Sequence, residues 1–175
     1  MDFNKLIKKC RRKPLVDLAA DTMISVDIDR EDIYRILPNR EPFVFLDRIS
    51  HIDLENKAIV GHRHIDVSDP LFEGHFPENP VYPGVLQLEI ISELFCCLYY
   101  FVTNDTCRVD AMGPVQLRAT RMHDALLQYP VLPGDDVTVI TQVLELTPYT
   151  FTGVGQLLSR DKVAIAVIGE FYIVE

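Results

Sequence analysis

The feature that most constrains this chain is an apolar run over residues 85–101, with the sequence VLQLEIISELFCCLYYF. Thirteen of its 17 residues are apolar, and on a helical wheel they lie on every side. A helix of this kind must be buried over most of its surface. Because Glu89 and Glu93 would stand in the middle of a membrane span, where carboxylates are costly, the run predicts a buried core helix rather than a transmembrane segment.

The segments around this run have the composition of strands. Upstream, we predict a short helix over residues 32–37 and strands within 42–49 and over 58–65. Downstream, we predict four strands, over residues 109–121, 136–146, 149–159 and 163–174. The passage over residues 67–84 contains four prolines and two glycines, so we expect no regular structure there. One long helix with these strands indicates the α+β class, with an antiparallel sheet wrapped around the helix.

Bulk properties limit the range of functions. At 175 residues the chain is long enough for one hydrophobic core and too short for two ordinary domains. A net charge of −9 disfavours general binding to nucleic acid. The four cysteines have neither C-x-x-C nor zinc spacing, so we predict a reduced, cytoplasmic protein without a metal site. The N-terminus lacks a long apolar segment, and we expect no signal peptide.

Residues 1–31 are predicted to be an N-terminal extension of a domain that occupies residues 32–175. The start of this extension is basic, and its lysines and arginines are Lys5, Lys8, Lys9, Arg11, Arg12 and Lys13. A charged segment of this type is commonly a solvated helix or a frayed tail. The functional alternative is a docking patch for an acidic partner.

Three features that can carry chemistry lie close together in the sequence. His75 lies in the loop GHFPENP, where the preceding glycine and the three prolines that follow it, Pro77, Pro80 and Pro83, would hold its backbone in a fixed path. Pro83 and Gly84 open the long helix, whose free N–H groups and partial positive charge can stabilise a developing oxyanion. Glu89 follows in the apolar helix, where burial would raise its pKa and suit it to act as a general acid.

Each of these residues also has a purely structural interpretation. A loop histidine is more often a surface or hydrogen-bonding residue than a catalytic base. Glu89 and Glu93, at positions i and i+4, share one face of the helix. Either carboxylate could instead reach the surface or a subunit interface.

Residues 71–89, LFEGHFPENPVYPGVLQLE, closely resemble the signature F-x-G-H-F-P-x-x-P-V-x-P-G-V-L-x-x-E of FabZ-type 3-hydroxyacyl-acyl-carrier-protein dehydratases. Residues 36–48, ILPNREPFVFLDR, resemble a second motif of that family, L-P-x-R-x-P-F-x-x-x-D-R. A weaker match is the turn PVLPGD at residues 130–135. The resemblance covers roughly residues 32–173. The related FabA branch has Asp at the position of Glu89, so the FabZ branch fits better.

The resemblance implies a hot-dog fold, in which a long central helix is wrapped by an antiparallel β-sheet. It implies a homodimer in which His75 of one subunit meets Glu89 of the other, with hexamers as a further form of assembly. It also implies a substrate carried on the phosphopantetheine arm of an acidic acyl-carrier protein. Arg118, Arg121 or the basic N-terminal run could receive that protein. No metal or redox cofactor is expected.

The resemblance also assigns roles to single residues. His75 would remove the C2 proton of a (3R)-3-hydroxyacyl thioester. Glu89, either protonated itself or acting through an ordered water, would donate a proton to the departing C3 hydroxyl to give a trans-2-enoyl thioester. The Gly84 N–H would stabilise the enolate-like oxygen, and the Val81 carbonyl would orient the imidazole. These two and three more form the expected substrate-binding set, which is Gly84, Val81, Phe76, Pro83 and Glu93.

The chain departs from the family in its long helix. Glu93 stands where the family usually has Gln, and this second carboxylate could tune Glu89 as an acid or weaken the pair. Residues 95–100 are bulky where the family has small residues. They could shorten the acyl tunnel or simply pack in the core.

Other functions are compatible with the same fold. A hot-dog thioesterase would hydrolyse the thioester and release free thiol, although the GHFP motif with its glutamate is rare in that class. A non-catalytic module would bind the acyl group or its carrier without turnover. Isomerisation of the enoyl product is more typical of the FabA branch.

Overall fold

The computed structural model describes residues 2–110 and 113–174. Its helices are α1 (Phe3–Cys10), α2 (Arg30–Ile36), α3 (Leu71–Gly74) and α4 (Gly84–Asn104). Its strands are β1 (Ile24–Ile28), β2 (Arg48–Asp53), β3 (Ala58–His64), β4 (Leu117–Leu127), β5 (Asp136–Leu146), β6 (Thr150–Ser159) and β7 (Lys162–Ile173). The strands form one sheet in the order β1-β2-β3-β5-β6-β7-β4, and every pairing in it is antiparallel. The predicted α+β architecture is confirmed.

Helix α4 packs closely on the sheet because β6 has glycines where the helix crosses it. A Cβ atom on Gly153 would lie 2.3 Å from Cε1 of Phe95, and one on Gly155 would lie 2.3 Å from Cγ2 of Ile91. Real Cβ atoms do not approach other atoms so closely, so both positions need a residue without a side chain. The two glycines therefore let large side chains of α4 reach the sheet.

The bulky end of α4 belongs largely to the core. Phe95, Cys97 and Leu98 are buried, and the Phe95 ring centroid lies 5.7 Å from that of Phe151 and 5.3 Å from that of Phe171. Edge and tilted arrangements of this kind are favourable for aromatic pairs. Packing accounts for these side chains without reference to an acyl tunnel.

Helix α4 is long and apolar enough to cross a membrane, as judged by length and composition only. In its most apolar 18-residue window, 56% of the residues are buried inside the fold. The helix thus occupies the place predicted for a core helix.

The predicted strand within residues 42–49 is wrong over its first part, because regular pairing starts only at Arg48. The Phe45 and Leu46 N–H groups donate to the Glu93 carboxylate and are unavailable for a strand ladder. A side chain on the central helix thus takes the place of a neighbouring strand.

The predicted strand over residues 109–121 is also misplaced, since β4 begins at Leu117 and ends at Leu127. Pro114 has no N–H to donate, and the Val115 N–H donates to the Ile36 carbonyl outside the sheet. Residues 111 and 112, which the prediction included, lie outside the described residues.

The proline-rich passage between β3 and α4 is irregular except for the four-residue helix α3, which the sequence analysis did not predict. Pro70 directly precedes α3, where a missing N–H costs no intrahelical hydrogen bond. This short turn of helix ends at Gly74 and sets the position of His75.

Candidate active site

His75 is held by three contacts in its loop. Its backbone N–H donates to the Leu71 carbonyl at 2.9 Å, and its ring nitrogen Nδ1 lies 2.9 Å from the Val81 carbonyl oxygen. Because a carbonyl only accepts, Nδ1 must carry the proton and Nε2 is left as the basic nitrogen of the neutral ring. The Phe76 ring stacks on the imidazole with centroids 4.2 Å apart. The imidazole is therefore fixed in both orientation and tautomer.

A cavity of about 290 Å³ lies beside His75. Val81 and Gly84 line it, together with Gln87 and Leu127. Pro83 is buried directly before α4 and its carbonyl accepts from N–H groups of the first turn. The Gly84 N–H belongs to the turn that has no intrahelical acceptors, and the helix dipole adds positive charge there. A substrate oxygen that gains negative charge would be stabilised at this end of the cavity.

Glu89 lines a second cavity, of about 330 Å³. Asn39 donates from Nδ2 to Oε1 of Glu89 at 3.4 Å, and Val85, Arg118 and Phe171 contribute to the walls. Burial raises the pKa of Glu89, and the Asn39 hydrogen bond opposes that shift. A raised pKa increases the fraction of the carboxyl that is protonated near neutral pH, as a general acid requires.

Glu93 lies one turn deeper on the same face of α4 and is only 2% exposed. Its carboxylate oxygens accept hydrogen bonds of 2.9 to 3.0 Å from the N–H groups of Phe45 and Leu46. Burial raises the pKa of Glu93 to about 7, the N–H donors act against this, and the charge of Glu89 adds to it. The hydrogen bonds of the Glu93 carboxylate are thus supplied by backbone N–H groups, although the side chain also borders the Glu89 cavity.

The two cavities have no lining residue in common. Gly84 and Gln87 face the His75 cavity, whereas Val85 and Glu89 face the other one. Successive residues of an α-helix are rotated by about 100°, which places these pairs on different faces of α4. One chain therefore places His75 and Glu89 in two separate cavities, which we call the two half-sites.

The structure adds residues that the sequence analysis did not single out. Asn39 reaches Glu89 from a loop 50 residues earlier, and Gln87 and Leu127 line the His75 cavity. Asn39 lies in the second family motif, but at a variable position of it. These contacts depend on the packing of distant segments, and no periodicity in the sequence reveals them.

Comparisons with known proteins show which family and which relatives the chain resembles. Residues 37–165 match the model of the FabA-like domain family. The 3-hydroxyacyl-[acyl-carrier-protein] dehydratase FabZ of Syntrophomonas wolfei is 30% identical over 150 residues, which is 85% of this chain and 96% of the relative. The protein of that name from Caulobacter vibrioides is 32% identical over 145 residues, covering 83% of this chain and 87% of the relative.

Among solved structures, the chain is similar to the dehydratase heterocomplex ApeI:P from Xenorhabdus doucetiae, with a TM-score of 0.62. The two share 12% sequence identity, and the match covers 82% of this chain and 91% of the other. At this level of identity the likeness shows the fold alone, which is the hot-dog fold expected from the sequence.

Proposed function

The chain belongs to the FabA-like family, together with the FabZ dehydratases, and we propose that His75 and Glu89 are the residues with which it removes water from its substrate. Its activity is the dehydration of 3-hydroxyacyl-[acyl-carrier-protein] in fatty-acid biosynthesis. The observation that carries the residue assignment is the 2.9 Å contact between His75 Nδ1 and the Val81 carbonyl. In the neutral imidazole this contact places the proton on Nδ1, so that Nε2 is the nitrogen that can accept one, as a base must.

In the proposed reaction, Nε2 of His75 takes the C2 proton of a (3R)-3-hydroxyacyl thioester. Negative charge moves onto the thioester oxygen, where the Gly84 N–H and the dipole of α4 stabilise it. The C3–O bond then breaks, and Glu89 gives its proton to the departing hydroxyl, so that water and a trans-2-enoyl thioester are formed. Phe76, Pro83 and Val81 hold the imidazole and the helix start in place, and Glu93 borders the cavity of Glu89. The reaction needs no metal or redox cofactor.

Each active site is proposed to combine His75 of one subunit with Glu89 of another. The two residues face separate cavities within one chain, and each cavity supplies half of the required chemistry. Large apolar side chains lie exposed around both half-sites, including Phe76 at 53%, Val85 at 73% and Leu127 at 59%. Apolar surface of this kind is typical of a subunit interface.

Strand β4 is the candidate for pairing between subunits. It lies at one end of the sheet and pairs only with β7 among the strands of the structure, so its other side keeps unpaired backbone groups. A second copy of the chain, related by twofold symmetry, would satisfy those groups and join the two sheets. Further assembly of such dimers into a hexamer stays a prediction.

A mixing experiment tests the shared site. His75→Ala and Glu89→Gln are each purified, combined in equal amounts under conditions that exchange subunits, and assayed for hydration of a trans-2-enoyl thioester. In a mixed dimer one site keeps both residues, so the mixture should recover about a quarter of wild-type activity. No recovery, in a sample that contains mixed dimers by mass spectrometry, would contradict a site shared between subunits.

We propose that the acyl group arrives on the phosphopantetheine arm of an acyl-carrier protein; the relatives are named as dehydratases of 3-hydroxyacyl-[acyl-carrier-protein]. We place the chain in the cytoplasm, where the free cysteines Cys10, Cys96, Cys97 and Cys107 stay reduced. Release of free thiol without any hydration would instead identify a thioesterase.

A further inference from the structure

The basic residues near the N-terminus belong to a folded segment that packs on the sheet. Ile7 and Cys10 of α1 are buried against a cluster on the outer face of the sheet that includes Val154 and Ile168. The face of α1 that carries its lysines is exposed. Helix α1 therefore holds positive charge at a fixed place on the sheet.

The turn that follows α1 is fixed by two glutamines, Gln156 on β6 and Gln128 directly after β4. Gln156 accepts a hydrogen bond from the Leu15 N–H at 2.9 Å and donates from Nε2 to the carbonyl of Lys13 at 2.8 Å. Gln128 donates from Nε2 to the carbonyl of Arg11 at 3.1 Å. The side chains of residues 11–13 are thus presented from an ordered turn and not from a loose tail.

This turn lies next to the His75 half-site. Gln128 and Tyr129 line the His75 cavity on one side, and on the other side they line a cavity of about 330 Å³ together with Arg11 and Arg12. A ligand that extends from His75 across Tyr129 therefore reaches the basic turn next.

The charges at this place are mostly positive. Arg11, Arg12 and Lys13 are exposed, and within residues 2–110 and 113–174 none of the three forms an ion pair. Lys162 adds a fourth cation, with Nζ 5.1 Å from the centroid of the Tyr129 ring. Asp161 is the acidic residue in the lining of the same cavity. A chain with a net charge of −9 thus has concentrated positive charge beside its catalytic histidine.

We propose that Arg11, Arg12, Lys13 and Lys162 form the docking surface for an acidic face of the acyl-carrier protein, at the mouth of the His75 cavity. This inference rests on the proposed function, in which the thioester arrives attached to a protein. The arm must enter the cavity while its protein stays outside, and the basic surface lies where that protein would rest. Complementary charge at such a place raises the rate of productive encounter and fixes orientation.

The test compares two double charge reversals, Arg11→Glu with Arg12→Glu and, as a matched control, Lys57→Glu with Arg108→Glu. The control residues are exposed and lie away from both half-sites. Each protein is assayed with a trans-2-enoyl group on acyl-carrier protein and on N-acetylcysteamine, which is an uncharged mimic of the arm. Thermal unfolding verifies that the variants are folded.

We expect the Arg11 and Arg12 variant to lose about 10-fold or more in kcat/KM with the carrier-linked substrate, with a weaker dependence on salt. Its kcat/KM with the N-acetylcysteamine thioester should equal that of the wild type, and the control should match the wild type with both substrates. Equal loss with both substrates, or no loss with either, would overturn the docking surface.

Direct titration with acyl-carrier protein separates this inference from the proposed function. Binding by the wild type that is lost in the Arg11 and Arg12 variant would support the surface even if turnover failed. Wild-type binding to vesicles of anionic phospholipid, without binding to the carrier protein, would overturn it in favour of a membrane surface.

Discussion

One carboxylate oxygen of Glu93 accepts a hydrogen bond of 2.9 Å from the Leu46 N–H and so ties the central helix to the loop before β2. The adjacent Phe45 N–H donates to the same carboxylate, which leaves this segment out of the sheet. Asn39, which contacts Glu89, lies in the same connection between α2 and β2. The buried carboxylate thereby supports the surroundings of the proposed catalytic acid.

The ionisation of Glu93 makes the stability of the protein depend on pH. Burial raises its pKa from an ordinary 4.5 to about 7, so between these values the native state binds a proton that the unfolded state has lost. The stabilisation of the native state by this proton is complete below pH 4.5 and is lost as the pH rises through 7. We expect the free energy of unfolding of the wild type to fall by on the order of 3 kcal/mol relative to that of Glu93→Gln over this window, as measured by urea unfolding.

The change to Gln is informative because it cannot titrate, although it keeps one oxygen as an acceptor. Glu55→Gln, on an exposed turn, is the matched control and should leave the pH dependence unchanged. If the free energies of unfolding of the wild type and Glu93→Gln changed in parallel with pH, Glu93 would be ionised in the native state over this whole window.

Removal of either member of the proposed catalytic pair should abolish most of the activity. We expect His75→Ala and Glu89→Gln each to lower kcat for enoyl-thioester hydration by about 100-fold or more, as is usual for a general base or acid. The loss of enoyl-thioester absorbance measures the reaction. His64→Ala, an exposed histidine on β3, should keep full activity. A variant of His75 or Glu89 that keeps near wild-type rates would remove that residue from the mechanism.

Asn39 should set the pH range in which Glu89 can act as an acid. Its hydrogen bond lowers the pKa of Glu89, against the effect of burial, so Asn39→Ala should raise that pKa further. Because the acid must be protonated, the decline of kcat/KM on the alkaline side should move to higher pH. A profile of kcat/KM against pH, measured for dehydration of a 3-hydroxyacyl thioester, gives the shift, with Asn4→Ala on exposed α1 as the control. A shift to lower pH would be inconsistent with Glu89 as the acid.

Gly84 should be required for space as well as for its N–H. A Cβ atom at this position would lie 2.2 Å from Cδ2 of Leu127, which lines the His75 cavity. Gly84→Ala should displace the exposed Leu127 side chain within the His75 cavity and lower kcat/KM by up to about 10-fold, since small misplacements are costly in catalysis. The double variant with Leu127→Ala should regain most of the loss. If the double variant stayed as slow as Gly84→Ala, the loss of activity would come from the backbone at the start of α4 and not from the contact with Leu127.

Gly153 should be essential for the packing of α4. Alanine at this position would place Cβ 2.3 Å from the Phe95 ring and 3.1 Å from the Gln142 carbonyl oxygen, so neither side can relax easily. We expect Gly153→Ala to lower the free energy of unfolding by about 1 to 3 kcal/mol in urea. Gly74→Ala, which meets no atom within 4 Å, serves as the control and should be nearly neutral. Equal stability of both variants would mean that α4 shifts freely on the sheet.

The sequence by itself determined the class of fold and the class of reaction. A helix that is apolar on all sides has to be wrapped, and β-prone segments separated by turns supply the wrapping sheet. The residues around His75, Gly84 and Glu89 likewise indicated candidates for a base, an oxyanion site and an acid within one continuous segment, and these roles stay predictions. Such features are local, because they depend on periodicity and on neighbours in the chain.

Only the tertiary structure decided which of these residues share a cavity and which distant segments contact them. Gly84 and Glu89 are five residues apart, yet they line separate cavities because they point to different faces of α4. The failed strand prediction before Arg48 has the same origin, since Glu93 captures its N–H groups from 47 residues away. Contacts between distant segments arise only when the chain packs, and neither composition nor spacing predicts them.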